Sequence, residues 1–79
     1  MTVQLSDLEL RILECISDGC HSKEIATIVR RSKPTVEGYV RLLYAKFNAR
    51  SRAHLVLQAI RYGIIVARAD ADYMERGTP

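Results

Sequence analysis

The sequence has few cysteines and no long apolar segment, and these absences exclude several classes of protein. Two cysteines, Cys15 and Cys20, in 79 residues are too few for a disulfide scaffold. The longest uninterrupted apolar run, Tyr62–Ala67, falls far short of the roughly 20 residues that a membrane-spanning helix needs. Met1–Leu5 has neither a basic start nor a signal-type apolar stretch. We therefore expect a cytoplasmic protein with no membrane partner.

Residue sets typical of catalysis and cofactor binding are also missing. The sequence contains no Gly-rich phosphate loop and no dinucleotide-binding motif. The two histidines, His21 and His54, lie at different predicted helix starts, without a matching nucleophile and orienting group. We expect neither enzymatic activity nor a cofactor. Cys20 beside His21 leaves metal or redox chemistry as an alternative to buried or half-buried thiols, although a structural metal site usually needs four ligands.

The positive charge is concentrated in the middle of the chain. The net charge is +3 overall, but residues 1–22 carry −3, residues 23–62 carry +7 and residues 63–79 carry −1. A basic middle between acidic ends is typical of a protein that presents one face to a polyanion. A solvated helix surface would account for the same charges, so charge alone does not decide between the two interpretations.

Length and apolar periodicity predict one small all-α domain. Ser6 and Glu9 have the spacing of a capping box, which predicts a first helix from Asp7 to about Ser17, ended by Gly19. A second, short helix follows, with Ser22 as its predicted cap. No strand alternation, internal repeat or low-complexity segment is found, so the fold class is all-α.

Two further helices complete the predicted domain. Ser32 is the expected cap of the third helix, and Asn48 tolerates the left-handed conformation that ends one. The fourth helix is expected to begin near Ser51 and to end at Gly63. We assign residues 1–65 to the domain and residues 66–79 to a C-terminal tail that is partly helical or disordered. The apolar stripes consist of Val36, Val40, Leu43 and Phe47 on the third helix and Leu55, Val56 and Ala59 on the fourth.

A short helix joined by a tight turn to a longer helix that is edged with basic residues is typical of a helix-turn-helix. An ordered set of residues makes this more specific: Leu5, Glu9, Ile12, Leu13, Ile16, Gly19, Lys23-Glu24-Ile25-Ala26, Ser32, Thr35, Val36, Val40, Leu43, Lys46, Arg50-Ser51-Arg52 and Gly63. With this set the chain resembles LuxR/FixJ-type (GerE-like) helix-turn-helix domains. The resemblance implies a three-helical core and a fourth, dimerisation helix, in a sequence-specific transcriptional regulator that binds double-stranded DNA as a homodimer.

The resemblance also implies which residues contact DNA and which contact a second copy. The base-reading positions fall on Glu37, Gly38 and Arg41. The expected phosphate contacts are Lys23, Lys33, Thr35, Tyr39, Lys46, Arg50 and Arg52. On the fourth helix, the residues that lie away from the apolar stripe are the expected dimer contacts, namely His54, Leu57 and Arg61, unless Leu57 is simply an isolated exposed residue.

Three of these residues depart from the family pattern or have a second interpretation. Glu37 stands where the family commonly has Lys; it either pairs with Arg41 on the helix surface or accepts a hydrogen bond from a cytosine amino group. Gly38 costs the helix roughly 0.8–1 kcal/mol relative to Ala, which a close approach to DNA would explain. Tyr39 either offers its hydroxyl to a phosphate or covers the edge of the core.

Other departures support a second functional hypothesis. Leu8, Leu10 and Ile28 are apolar where the family is usually polar, so they predict an additional exposed apolar patch, unless they are isolated surface residues. Arg31 stands where the family usually has a buried apolar residue, and His21 occupies the usual Ser capping position. The leading hypothesis is a nucleoid-associated regulator without its own sensor domain. The alternative is a module of the same fold that sequesters another regulator or contacts RNA polymerase.

Overall fold

The computed structural model describes residues 3–66, which form four α-helices and no strand. Helix α1 spans Asp7–Ser17, α2 spans Ser22–Val29, α3 spans Lys33–Phe47 and α4 spans Arg52–Arg61. The all-α prediction is therefore confirmed. None of these four helices is long and apolar enough to cross a membrane. Of the predicted tail, only Val66 belongs to the described residues.

Three of the four helices begin at the serine caps predicted from the sequence. In α1 both halves of the capping box form: the Glu9 N–H donates to Ser6 Oγ at 3.1 Å, and the Ser6 N–H donates to Glu9 Oε1 at 2.8 Å. Ser32 caps α3 and Ser51 caps α4 through the same kind of side-chain acceptor. Each cap satisfies a backbone N–H that has no partner within its helix.

The predicted cap of α2 is wrong by one residue. His21, in extended conformation, is the capping residue, and Ser22 is the first residue of the helix. The backbone N–H of His21 donates to Glu24 Oε1 at 3.0 Å, and His21 Nε2 lies 3.4 Å from the same oxygen. The Glu24 carboxylate therefore supplies the half of a capping box that accepts from the backbone N–H of the cap residue.

All four helices in residues 3–66 end with the same backbone motif. A residue in left-handed conformation follows each helix, and the next N–H donates to a carbonyl five residues earlier, which closes a Schellman motif. After α1, for example, the Cys20 N–H donates to the Cys15 carbonyl at 3.0 Å. The left-handed residues are Gly19 (φ 90°), Arg30 (φ 59°), Asn48 (φ 52°) and Gly63 (φ 73°). Each motif turns the chain sharply, so the next helix packs back on the previous one.

The core lies where α3 packs against each of the other three helices. Its largest side chain, Phe47, is fully buried, and the Tyr62 ring centroid lies 5.7 Å from that of Phe47. Gln58 Nε2 donates to the Phe47 carbonyl at 3.1 Å, which joins the end of α3 to α4. The other fully buried residues are Ile12, Leu13, Ile25, Val36, Leu43, Leu55 and Ala59. Val40 and Val56 are half-buried at the edges of the predicted stripes.

The additional apolar patch predicted from Leu8, Leu10 and Ile28 does not form. Leu8 and Leu10 are half-buried, and Leu8 packs against the core, because both lie close to the buried face of α1. Ile28 alone of the three is exposed, at 43%. Arg31 is also exposed, and its Nη1 donates to the Arg30 carbonyl at 3.3 Å.

One partly buried ion pair joins α1 to the end of α3. Glu9 is only 5% exposed, and Lys46 Nζ donates to its two carboxylate oxygens at 2.9 and 2.8 Å. The same ammonium donates to the Gln4 carbonyl at 3.0 Å. The Lys46 hydrogen bond, helped by the N–H of Ser6, holds the pKa of the Glu9 carboxyl below its ordinary value, although burial opposes the shift. The pair therefore stabilises α1, α3 and the segment before α1 together.

We expect Glu9→Gln to destabilise the fold by about 1–3 kcal/mol, because it leaves the Lys46 ammonium without its charged acceptor. Chemical denaturation of the variant and the wild type at about pH 7 measures the loss. Glu14→Gln, which removes an exposed carboxylate from the same helix, is the matched control and should change stability by no more than about 0.5 kcal/mol.

Acidification provides a second test of the same pair. The folded-state pKa of Glu9 is lowered, so its contribution is complete above the ordinary glutamate pKa and is lost as the pH falls through the folded-state value. The stability difference between wild type and Glu9→Gln should therefore shrink between about pH 7 and about pH 3. An unchanged difference over this range would contradict the assignment.

Candidate nucleic-acid interface

The outer face of α3 belongs to the helix-turn-helix unit, which consists of α2, the turn at residues 30–32 and α3. Val36, Leu43 and Phe47 are buried in the core, so the opposite side of the helix faces outward. That side carries Lys33, Thr35, Arg41 and Ala45 as exposed residues and Glu37 and Gly38 as half-buried ones. The three residues predicted to read bases thus lie together on or beside the outward face.

Arg41 extends along its own helix toward Gly38. A Cβ placed on Gly38 would lie 3.9 Å from Arg41 Nη2, which is an ordinary van der Waals contact. Among the ion pairs of residues 3–66, none joins Glu37 to Arg41. The surface pairing considered for Glu37 is therefore not formed in this structure, because the Arg41 guanidinium lies beside Gly38.

Three helix starts meet at a shallow depression next to this face. It is lined by His21, Ser22, Lys23, Lys33, Glu37 and Arg52. The first three residues belong to the start of α2, Lys33 opens α3 and Arg52 opens α4. Helix N-termini carry partial positive charge, and three cationic side chains with a single carboxylate add to it. The depression is thus suited to an anion such as a phosphate group.

Arg52 has a structural contact within this depression. Its guanidinium donates from Nη2 to the carbonyl of Cys20, in the turn between α1 and α2. The contact joins the start of α4 to that turn, and Arg52 lines the depression together with Lys23 and Lys33. The contributions of His21 and Ser22 were not predicted; the signal available was their position next to Lys23 at a helix start.

The remaining predicted phosphate contacts lie in three different settings. Thr35 is exposed in the first turn of α3, where its Oγ1 accepts from Ser32 Oγ at 2.9 Å. Arg50 is exposed, and its backbone N–H donates to His54 Nδ1 at 3.0 Å. Tyr39 is half-buried against the core, which agrees with the core-edge interpretation of this residue. Thr35 and Arg50 remain accessible from outside.

Lys46 lies apart from the other predicted phosphate contacts. Its ammonium group donates to both Glu9 oxygens and to the Gln4 carbonyl, so three acceptors match its three N–H bonds. It sits in the last turn of α3, whereas the depression lies at the first. We therefore assign Lys46 to the fold and leave it out of the proposed DNA contacts.

The predicted dimer residues share one side of α4. His54, Leu57 and Arg61 follow the helical spacing, and Leu57 is 44% exposed. Arg61 Nη1 donates to Gln58 Oε1 at 3.2 Å, while the half-buried His54 ring accepts the backbone hydrogen bond from Arg50. Leu57 therefore supplies the main apolar surface of this set.

The two cysteines are both free, with Cys15 buried and Cys20 half-buried, as expected for thiols in a small core. In the part of the chain that the structure describes, no group of three or more His, Cys, Asp or Glu side chains could hold a metal ion.

Comparison with known proteins shows which proteins this chain is similar to. Residues 3–59 match the family model described as bacterial regulatory proteins, luxR family. The chain is 36% identical over 61 residues to the uncharacterized response regulatory protein YgeK of Escherichia coli, covering 77% of this chain and 42% of that protein. It is 38% identical over 56 residues to response regulator Rre1 of Synechocystis, covering 71% of this chain and 24% of that protein.

With a more distant relative, the match covers an even smaller share of the relative's length. The HTH-type transcriptional regulator AlkS of Pseudomonas putida is 26% identical over 57 residues, which is 72% of this chain and 6% of that protein. The chain thus spans less than half the length of each of these curated relatives. No solved structure matches it.

Gly38 generates a stability prediction for this face. Because a Cβ at this position meets only the flexible end of Arg41, Gly38→Ala should stabilise the free protein by about 0.5–1 kcal/mol through helix propensity. Gly19→Ala is the control, since a Cβ there also has open space but φ is 90°, and it should destabilise by about 1 kcal/mol. Thermal or urea unfolding measures both. A destabilised Gly38→Ala would mean that the fold itself requires the glycine.

Proposed function

This chain belongs to the luxR family of bacterial regulatory proteins, and on that basis we propose that it binds duplex DNA with the outer face of α3 and regulates transcription. The observation that carries the proposal is the position of Glu37, Gly38 and Arg41 beside a cationic depression formed by three helix starts. Base-edge contacts and phosphate contacts would then come from adjacent parts of one surface.

The depression supports the phosphate part of the proposal. Lys23, Lys33 and Arg52 line it together, and on binding their charges would replace counterions that the DNA backbone releases. Thr35 can donate its hydroxyl to a phosphate near the start of α3, since its oxygen already accepts from Ser32. Arg50 and Tyr39 are the outer members of the proposed contact set. Together these residues would position α3 in the major groove.

Gly38 supports close contact between α3 and the DNA. In the free protein nothing near this position requires a glycine, and the helix would be more stable with alanine. A missing side chain in the middle of the outward face instead allows a base edge or sugar to approach the helix backbone. Arg41, extended next to Gly38, would then reach a guanine, which arginine commonly contacts through O6 and N7.

Glu37 fits the same surface as a base-reading acceptor. Its carboxylate lies among Lys23, Lys33 and Arg52, which offset the repulsion between an acid and the DNA backbone. Because it forms no ion pair with Arg41 in the described residues, it can accept a hydrogen bond from a cytosine amino group. We propose this role for Glu37.

A homodimer is the proposed DNA-bound state. On the outer face of α4, Leu57 lies between the polar residues His54 and Arg61. In a two-fold dimer, the two copies of Leu57 can contact each other while the polar residues surround them. Two copies joined there would present two α3 helices to a palindromic site. The proposed place of action is the bacterial nucleoid.

A groove of mixed lining favours protein binding as a second candidate function. It lies between α1, α2 and the residues after α4; its apolar part is formed by Cys15, Ile28, Ile64, Ile65 and Val66, and its polar part by Arg11, Glu14, Ser17 and Asp18. Ile28 and Val66 are 43% and 73% exposed, so the groove offers apolar surface to another regulator or to RNA polymerase. If the folded wild-type protein shows no sequence-specific DNA binding, this candidate function is favoured.

A salt series on duplex DNA tests the main proposal. Affinity for a site selected from random sequences should fall steeply with the logarithm of salt concentration and exceed the affinity for random DNA. Lys33→Gln should reduce the salt slope by about one and weaken all sequences alike. Binding that is weak and equal for every sequence at low salt would reject the regulator function.

Arg41→Ala should weaken binding to the selected site by about 1–3 kcal/mol and relax the preference at one base pair. Arg11→Ala removes the same charge from an exposed position on α1 outside the depression, so it is the matched control and should leave base preference unchanged. Selection of bound sites with each variant measures the difference. Equal weakening of all sequences by Arg41→Ala would make Arg41 a phosphate contact.

Gly38→Ala should lower affinity for the selected site although it stabilises the fold.

Leu57→Asp should shift the protein toward monomer and weaken binding to a palindromic site more than to a half-site, because it places a charge in the proposed interface. Ile28→Asp changes a residue of nearly the same exposure on α2 and is the control. Sedimentation with and without DNA measures the assembly state. If Leu57→Asp sediments like the wild type in both conditions, α4 is not the interface.

A further inference from the structure

The turn between α1 and α2 brings the two cysteines of the chain together. Cys15 lies in the last part of α1, and Cys20 directly follows the left-handed Gly19. In the Schellman motif that ends α1, these are the two residues joined by the longest-range hydrogen bond, from the Cys20 N–H to the Cys15 carbonyl at 3.0 Å. Side chains at these two positions commonly touch.

Both cysteines belong to the core region, but they differ in exposure. Cys15 is 9% exposed and belongs to the buried cluster, and Cys20 packs against that cluster while remaining half-buried. Burial raises the pKa of the Cys15 thiol, and the neighbouring Cys20 thiol raises it further. The backbone bond therefore holds two neighbouring thiols at one turn, one enclosed and the other reachable from solvent.

We propose that Cys15 and Cys20 form an oxidation site that takes a hydroperoxide as its oxidant and closes to an intrachain disulfide. The inference goes beyond the proposed function and does not depend on DNA binding. It rests on the backbone hydrogen bond that holds the two residues together, on their difference in exposure and on both thiols being free. In a reducing compartment, a disulfide of this kind is typically transient and redox-sensing.

The difference in exposure sets the order of the two steps. The Cys20 thiolate attacks the O–O bond of the hydroperoxide, which gives a sulfenic acid on Cys20 and releases an alcohol, or water when hydrogen peroxide is the oxidant. The Cys15 thiol then attacks the Cys20 sulfur: the S–S bond forms, the S–O bond of the sulfenic acid breaks, and the hydroxyl leaves as water with the proton of the thiol. Two thiols lose two electrons and two protons, and the hydroperoxide accepts both electrons.

The site lies at a turn that also holds the proposed DNA surface in place. The carbonyl of Cys20 accepts the hydrogen bond from Arg52, which opens α4 and lines the cationic depression. Closing the disulfide restrains the residue that anchors this arginine. The oxidation site is therefore connected, through one hydrogen bond, to the group of cations that we propose contacts phosphate.

Mass spectrometry of the whole chain tests the proposal without DNA. After treatment with hydrogen peroxide, unfolding and alkylation, the wild type should carry no alkyl group and should have lost the mass of two hydrogen atoms. A peptide digest should contain a fragment that links Cys15 to Cys20, and dithiothreitol should restore two alkylatable thiols. Two alkylated thiols after oxidation, or a bond that joins two chains, would overturn the proposal.

Two variants and a melting experiment separate a built site from a chance encounter of thiols. Cys15→Ser should leave a Cys20 sulfenic acid that a dimedone probe labels, whereas the wild type should label weakly because Cys15 resolves it. Cys20→Ser should leave Cys15 reduced at the same peroxide concentration, since that thiol is buried. The oxidised wild type should melt at a higher temperature than the reduced one. A lower melting temperature would show that the fold opposes the bond, and would also overturn the proposal.

Discussion

The sharp ending of each helix is the constraint on which the rest of this small fold depends. With helices of 8–15 residues, the chain must reverse quickly or its apolar stripes cannot meet in one core. A left-handed residue and a backbone hydrogen bond that spans five residues achieve this at all four ends in residues 3–66. The same turns bring three helix starts to one side of the molecule, where their partial positive charges add to those of Lys23, Lys33 and Arg52. The geometry that closes the core therefore also creates the electropositive surface.

Most of the fold could be read from the sequence because its signals are local. Serine caps, the capping box, Gly19, Asn48 and the apolar spacing all act within a few residues, and they predicted the helices almost to the residue. Two features were less visible. Arg30 adopts a left-handed conformation that its residue type does not indicate, and the α2 cap depends on a carboxylate three residues away. The buried state of Glu9 had a signal, since Glu9 shares the helical face of Ile12, Leu13 and Ile16, where an acid requires a partner.

The candidate site was predictable in composition but not in arrangement. The family pattern indicated the outward face of α3 and a set of cations, yet it could not distinguish cations that face solvent from cations that the fold uses. Lys46 is engaged with Glu9 and Gln4, and Arg52 binds the Cys20 carbonyl. These contacts join residues that are more than 30 positions apart in the chain. Local patterns carry no information on such contacts. Glu37 shows the converse: an acid that looked out of place beside DNA lies among cations that the sequence scatters over three helices.

The bond from Lys46 to the Gln4 carbonyl has a mechanical consequence. Gln4 precedes the first helix, whereas Lys46 belongs to the last turn of α3, so the ammonium joins the chain ahead of α1 directly to the C-terminal end of α3. A pull on the backbone at Gln4 would load α3 through Lys46 and α1 through the shared Glu9 carboxylate at the same time. Tension in this segment would thus reach α3 directly through the Lys46 hydrogen bonds as well as along α1.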